Sequence, residues 1–242
     1  IERLERISQE LEPSSAEREE LNKEVLDFAN NFIANTEVRK AYFGSEPDED
    51  SLTLHSTKKS LSELLDTYQK QVVEKGINPA SGGHVGYIPG GGIYTAALAD
   101  YIADVTNEYS GMFYGSPGAV TIENESIDWL KEVFGYPEWA VGNLTSGGSI
   151  ANLIALTAAR DKHGIKNERI TKSVIYLSEQ VHHCIHKAIR IIGLEDVQVR
   201  YLKLDEYSKI KTDDLVANIE SDKADGLNPF MVIASAGTTD TL

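Results

Sequence analysis

The chain has 242 residues, with 23 Lys plus Arg against 38 Asp plus Glu, a formal net charge of −15. An excess of acid on this scale excludes a broad face for gripping a phosphate backbone. No run approaches the roughly 18 consecutive apolar residues that a membrane-spanning helix needs, and the charged opening Ile1-Glu2-Arg3-Leu4-Glu5 does not read as a secretory signal. A hydrophobic fraction of 41% with 7 prolines fits a globular chain, and one cysteine, Cys184, forbids an internal disulfide and fits a reducing, cytoplasmic compartment.

Residues 1–80 read as a polar helical arm. Leu21, Val25, Phe28 and Phe32 recur at three-to-four spacing within Glu17 to Phe32, with Ser14 and Ser15 ahead of them as N-cap candidates. Gly44 to Ser51, with four acids, a proline and a glycine, reads as an exposed loop. A second helix is expected from Thr57 to Lys75, with Leu61, Leu64, Leu65, Tyr68 and Val72 on one face, ended by Gly76, Asn78 and Pro79.

From residue 81 the texture changes. Ser81 to Gly92 holds six glycines in twelve residues and must be a loop, because glycine opposes helix and strand interiors alike. Helices are expected over Ile93–Asn107 and Thr121–Phe134. Then strands and helices alternate: strand Trp139–Leu144, helix Ile150–Lys162, strand Ser173–Leu177, helix Val181–Ile192, strand Val197–Leu204, helix Thr212–Ser221 and strand Phe230–Ala234. This order implies an α/β fold, a mainly parallel sheet with helices on both faces.

In open α/β sheets, ligands sit beyond the carboxyl ends of the strands. Three loops are placed there. The first is Thr145-Ser146-Gly147-Gly148-Ser149: its glycines let backbone amides approach an anion, the following helix N-terminus favours negative charge, and its hydroxyls add donors. It has neither the lysine of a Walker loop nor a dinucleotide fingerprint. Read alone, it is equally a tight turn whose serine caps a helix. The second is Ser178-Glu179-Gln180-Val181-His182, with His182 at a helix start beside the apolar stripe Val181, Ile185, Ala188, Ile189 and Ile192, where an imidazole can face a cleft or simply meet solvent. The third is Ala236-Gly237-Thr238-Thr239-Asp240, two adjacent hydroxyls able to meet polar ligand edges, though an ordinary turn would look the same.

Taken together and in order, these motifs resemble the group II amino-acid decarboxylases that depend on pyridoxal phosphate. The matching residues are Thr145 to Ser149 followed by Ile150-Ala151-Asn152-Leu153; Ser178 to His182 with Lys187-Ala188; and Ala234-Ser235-Ala236-Gly237-Thr238-Thr239. Gly86-Tyr87-Ile88-Pro89, Ser116-Pro117 and Glu123 look like the family's substrate-loop region, so the resemblance covers most of residues 55–242. It implies a type I aminotransferase-like fold, in which residues 81–242 form the first part of the cofactor-binding large domain. It also implies a homodimer with active sites at the subunit interface, its N-terminal arms wrapping the partner subunit.

Carried over residue by residue, Gly148 and Ser149 would bind the phosphate of pyridoxal 5'-phosphate, with Ser146 and Gly147 shaping the loop. His182 would stack on the pyridine ring near the departing carboxylate, as the catalytic residue. Thr238, with Thr239, would contact ring substituents. Tyr87, Ile88 and Pro89, with His84 at the edge, would line the pocket of a small amino-acid substrate. The reaction implied is decarboxylation of an L-amino acid to the amine and carbon dioxide. The family's Schiff-base lysine and pyridine-nitrogen aspartate have no counterpart here, so catalysis is expected to need a C-terminal remainder.

Rival readings are a carbon–carbon lyase or aminotransferase on the same fold, and a non-catalytic dimerisation partner. A zinc site on His182 and His186 is a third; no third ligand announces itself and no metal is expected. Glu123 and Glu125 read as helix-surface acids, and Cys184 as a small packed residue. Tyr87, Tyr109, Phe113 and Tyr114 lean slightly toward an aromatic substrate.

Overall fold

The computed structural model describes residues 1–54 and 56–239, and for Glu10 its backbone. The chain divides into two compact units, Ile1–Asp100 and Tyr101–Leu242.

The first unit opens with α1 (Glu2–Ser8) and α2 (Ser15–Ala34). Ser14 is the N-cap of α2: its hydroxyl accepts from the Glu17 N–H, while Glu17 accepts from the Ser14 N–H, a reciprocal capping box. A two-residue strand β1 (Tyr42–Phe43) pairs antiparallel with β2 (Gly76–Ile77). Between them lie α3 (Glu49–Leu52) and α4 (Leu61–Tyr68). The expected helix Thr57–Lys75 is shorter, because Ser60 and Glu63 form a second capping box that sets its start. It then widens into a π-helical turn over Gln69–Val73. Phe28 of α2 meets Tyr68 of α4 edge to face at 6.0 Å. Ser81 to Gly92 forms no helix or strand, as the glycine density requires. The helix α5 (Tyr94–Thr106) spans the division between the units.

The second unit carries α6 (Pro117–Phe134), α7 (Gly148–Lys162), β3 (Ser173–Leu177), α8 (Cys184–Ile191), β4 (Gln198–Tyr201), α9 (Thr212–Ala224) and β5 (Asn228–Val232). The sheet order is β4-β3-β5, with both pairings parallel. β3 is fully buried and alternates strictly. Ile175 and Leu177 enter a core with Leu156 of α7 and with Ile185, Ala188 and Ile189 of α8, while Val174 and Tyr176 face Leu215 and Ile219 of α9. That is the period of two expected of a strand covered by helices on both faces. Opposite β3, the register skips from Pro229 to Met231 and leaves Phe230 as the extra residue, next to a proline that has no N–H to give the ladder.

Several boundaries differ from expectation. Trp139–Leu144 is irregular rather than a strand: no described segment pairs with it, and Trp139 and Val141 are 82% and 95% exposed. The strand expected at Val197–Leu204 ends at Tyr201, after which Leu204 bridges back to Ile210 across a turn. α6 begins four residues before Thr121, with Pro117 in its first turn, where a missing N–H costs nothing. α8 begins at Cys184 instead of Val181, because Ser178 to Val181 form a turn closed by the Val181 N–H on the Ser178 carbonyl. No helix among the described residues is long and apolar enough to cross a membrane.

Candidate functional site

The glycine–serine loop opens α7. Gly147 is the N-cap at φ +150° and ψ 170°, a region open essentially to glycine alone. The Thr145 hydroxyl donates to the Gly147 carbonyl at 3.1 Å, and that carbonyl also accepts from the Ile150 and Ala151 N–H groups. Asn152 Nδ2 donates to the Gly148 carbonyl at 2.8 Å. The carbonyls of Gly147 and Gly148 are thus taken up at the start of α7, whose first N–H groups, those of Gly148 and Ser149, have no intrahelical acceptor. A Cβ built on Gly147 or Gly148 would meet no atom within 4 Å, so open space lies in front of both. Ser146, Gly148 and Ser149 are exposed beside it.

Glu123, which resembles part of a substrate-loop region and otherwise reads as a helix-surface acid, shapes this approach. Glu123 of α6 accepts from the Leu144 N–H at 3.2 Å, tying the segment before the loop to α6. A half-buried carboxylate 21 residues upstream gives no sequence signal for such a tether.

β3 delivers the second loop. Ser178 is buried at the strand end and His182 is exposed, two residues ahead of α8. His182 and His186 therefore do not share a helix face, and among the described residues no group of three His, Cys, Asp or Glu side chains is placed to hold a metal ion. The His182 ring packs against that of His183, with centroids 4.1 Å apart, and its Nδ1 accepts the Cys184 N–H at 3.2 Å. Cys184 is buried and unpaired.

β5 delivers the third loop. Gly237 sits at φ +83° in the turn, and Thr238 and Thr239 follow, half-buried. Asp240 lies outside the described residues. Since β3 and β5 are parallel neighbours, the loops carrying His182 and Thr238 leave the sheet from the same edge.

His84, Tyr87, Ile88 and Pro89 belong to the first unit. Tyr87 adopts φ +62°, a left-handed conformation uncommon for an aromatic residue, and its ring stacks at 19° and 6.3 Å on that of His84. His84 Nε2 is buried without a hydrogen-bond partner among the described residues. Tyr87 and Ile88 are 60% and 69% exposed. Strain of this kind on an exposed aromatic needs a cause, and ligand contact is one that recurs at functional sites.

Beneath the sheet, on the α9 side, is a polar network that sequence reasoning missed. Tyr176 Oη donates to Asp222 Oδ2 at 2.7 Å, and Arg200 donates from Nε and Nη2 to Asp222 Oδ1 at 3.1 and 2.7 Å. Burial, then the hydrogen bond to Asp222 and the carboxylate's charge, push the Tyr176 hydroxyl well above its usual range against the opposing Arg200. Burial also disfavours the ionised Asp222, but hydrogen bonds from Arg200 and Tyr176 and the guanidinium charge outweigh it, holding that carboxyl below the usual range. The network pins α9 to β3 and β4.

Residues 48–241 match the family model of the pyridoxal-dependent decarboxylase conserved domain. An aromatic-L-amino-acid decarboxylase of Bacillus atrophaeus is 37% identical over 154 residues, covering 64% of this chain and 32% of that protein. The enzyme of the same name from Cavia porcellus is 28% identical over 243 residues, covering 90% and 49%. Among solved structures, the Rhodiola rosea 4-hydroxyphenylacetaldehyde synthase superposes with a TM-score of 0.79 at 25% identity, covering 93% of this chain and 51% of that one. An Oryza sativa TDC solved with PLP and tryptamine gives 0.81 at 20% identity, covering 94% and 50%, which speaks to the fold alone. The chain thus spans a third to a half of the length of these relatives. With four-fifths of its residues inside the family model and the family's parallel-sheet fold in place, the chain belongs to the pyridoxal-dependent decarboxylases.

Proposed function

We propose that this chain supplies the phosphate-binding and ring-stacking part of an enzyme that decarboxylates an L-amino acid to its amine, using pyridoxal 5'-phosphate. The observation that carries the reading is the loop at Gly147: a glycine-only backbone opens α7, and free space faces Gly147 and Gly148 where an ester phosphate would sit. An anion there meets first-turn backbone amides, the hydroxyls of Ser146 and Ser149, and the positive end of a 15-residue helix. These residues fit the cofactor's phosphate, and they fit it without a lysine.

The rest of the assignment builds on that anchor. The first turn of α7 is proposed to lie at the edge where β3 and β5 end. In this reading the exposed His182 imidazole would stack on the pyridine ring and lie near the substrate carboxylate. Thr238 and Thr239 meet its polar substituents. Tyr87, Ile88 and Pro89, with His84, are proposed as substrate-contacting residues. When bound, the cofactor supplies an electron sink for the pair left behind as carbon dioxide departs. The protein's part is to anchor, orient and exclude water.

The active unit is proposed to be a cytoplasmic homodimer with residues 1–80 as the arm against the partner subunit. The substrate proposed is an aromatic amino acid, following the names of the Bacillus atrophaeus and Cavia porcellus relatives. Because one relative is named as an aldehyde synthase, product analysis must separate amine from aldehyde. The test is a full-length polypeptide carrying this segment, titrated with pyridoxal phosphate and followed by visible absorbance, then screened with amino acids for carbon dioxide release. Saturable binding and amine formation are expected, with turnover reduced at least ~100-fold in His182→Ala. Absence of cofactor binding, or near-normal turnover in that variant, would overturn the assignment.

A further inference from the structure

The hydrogen bond that closes loop two constrains what His182 can do chemically. Its Nδ1 accepts the Cys184 N–H at 3.2 Å. An imidazole nitrogen accepts only through its lone pair, so Nδ1 carries no hydrogen, and the hydrogen of the neutral ring resides on Nε2. The amide that enforces this is well fixed. Cys184 is buried in the core beside Ile185 and Ala188, and the Ile185 and Lys187 N–H groups donate to the carbonyls of His182 and His183. The ring of His183 lies against that of His182 at 4.1 Å and 39°, limiting rotation about the Cα–Cβ and Cβ–Cγ bonds.

We propose that His183 is a positioning residue: its ring, with the Cys184 N–H, holds His182 as the tautomer protonated on Nε2. A neutral ring so held has no spare lone pair, so His182 presents a donor to an anionic ligand group and does not abstract a proton. The consequence for catalysis rests on the reading of His182 given above, but the tautomer does not. It is tested on the apoprotein.

The experiment uses the full-length protein labelled with ¹⁵N at histidine, at an alkaline pH where imidazole is neutral, with His182 assigned by the resonance lost in His182→Gln. Long-range ¹⁵N–¹H correlation is expected to give a pyridine-type Nδ1 and a pyrrole-type Nε2. Amide hydrogen exchange at Cys184 should be slowed, and quickened about tenfold or more in His183→Ala and in His182→Ala. His183→Phe, which keeps a ring, should retain both signatures. A pyrrole-type Nδ1 in the unaltered protein would overturn the proposal, as would an unchanged Cys184 exchange rate in His183→Ala. Cofactor absorbance recorded on the same samples tests the functional reading separately: failure to bind with the tautomer intact would count against the decarboxylase assignment and not against the tautomer.

Discussion

Two stretches of similar hydrophobic patterning end in opposite environments. Every buried apolar side chain among the described residues falls between Leu156 and Leu202, around β3 and α8. The arm helices bury none: Leu21, Val25 and Leu26 of α2 and Leu64 of α4 are 39% to 50% exposed, although they recur at helical spacing. An amphipathic stripe records that a face is meant to be covered, without recording by what. Around β3 the cover is local, the three helices α7, α8 and α9 from the adjoining sequence; in the arm, Phe28 of α2 meets Tyr68 of α4. The arm's open stripe is what the proposed homodimer would occupy.

Substitutions should separate the two regions sharply. Leu177→Ala, in a strand with no exposure, is expected to cost about 2–5 kcal/mol in urea unfolding, from lost transfer energy and the cavity left between α7 and α8. A loss below about 1 kcal/mol would mean that the β3 core is not the folding core. Asp222→Asn comes next, at about 1–3 kcal/mol near neutral pH, because Arg200 and Tyr176 lose a charged acceptor.

The pH dependence of that pair gives a sharper test. Asp222 has a folded pKa below its unfolded one, so its contribution is present above the unfolded value and disappears as pH falls through the folded value, below the ordinary carboxylate range. The difference between the unaltered protein and Asp222→Asn should therefore shrink in acid. Tyr176 has the opposite sign: its raised pKa contributes stability below the ordinary tyrosine value, lost as pH rises through the folded one. A gap between the two proteins that stays constant across the acid range would show that the carboxylate's charge is not what α9 uses.

Gly147→Ala should cost about 1–3 kcal/mol through its φ of +150°, measurable by thermal unfolding, since there is room for the methyl group but not for the backbone angle. The smallest effect is expected from Leu64→Ala in the arm, within about 1 kcal/mol at dilute concentration, growing with protein concentration if the arm docks on a second copy. An effect independent of concentration would separate the arm from dimerisation.

The strand of greatest burial was also the most legible. Ser173–Leu177 was bounded correctly from β-branched and apolar composition alone, because its cover comes from its own neighbours in sequence. Ser14 announced the start of α2 by residue type. Trp139–Leu144 misleads for the complementary reason: apolar composition without a pairing partner among the described residues makes no strand. The order of the three loops is readable from short glycine, serine, histidine and threonine motifs, but the first does not leave a strand end as expected, since Trp139–Leu144 forms no strand among the described residues. The Glu123 tether and the Asp222 network are not readable, as each joins residues 21 or more positions apart with no local pattern. By sequence His182 reads as the start of a helix, and the turn at Ser178 that sets it ahead of α8 follows from hydrogen bonds that composition does not reveal.

Every catalytic role proposed for this chain rests on a phosphate ester seated at the Gly147–Ser149 turn. The most direct measurement compares the binding of pyridoxal 5'-phosphate and of pyridoxal, which lacks the phosphate, to the full-length protein and to Gly148→Glu, whose carboxylate would project into the open space before α7. The unaltered protein is expected to prefer the phosphorylated form by at least ~100-fold, about 2.7 kcal/mol, and the substitution to erase the preference. Equal affinity for the two forms, or a preference that survives Gly148→Glu, would contradict a phosphate seat at this turn.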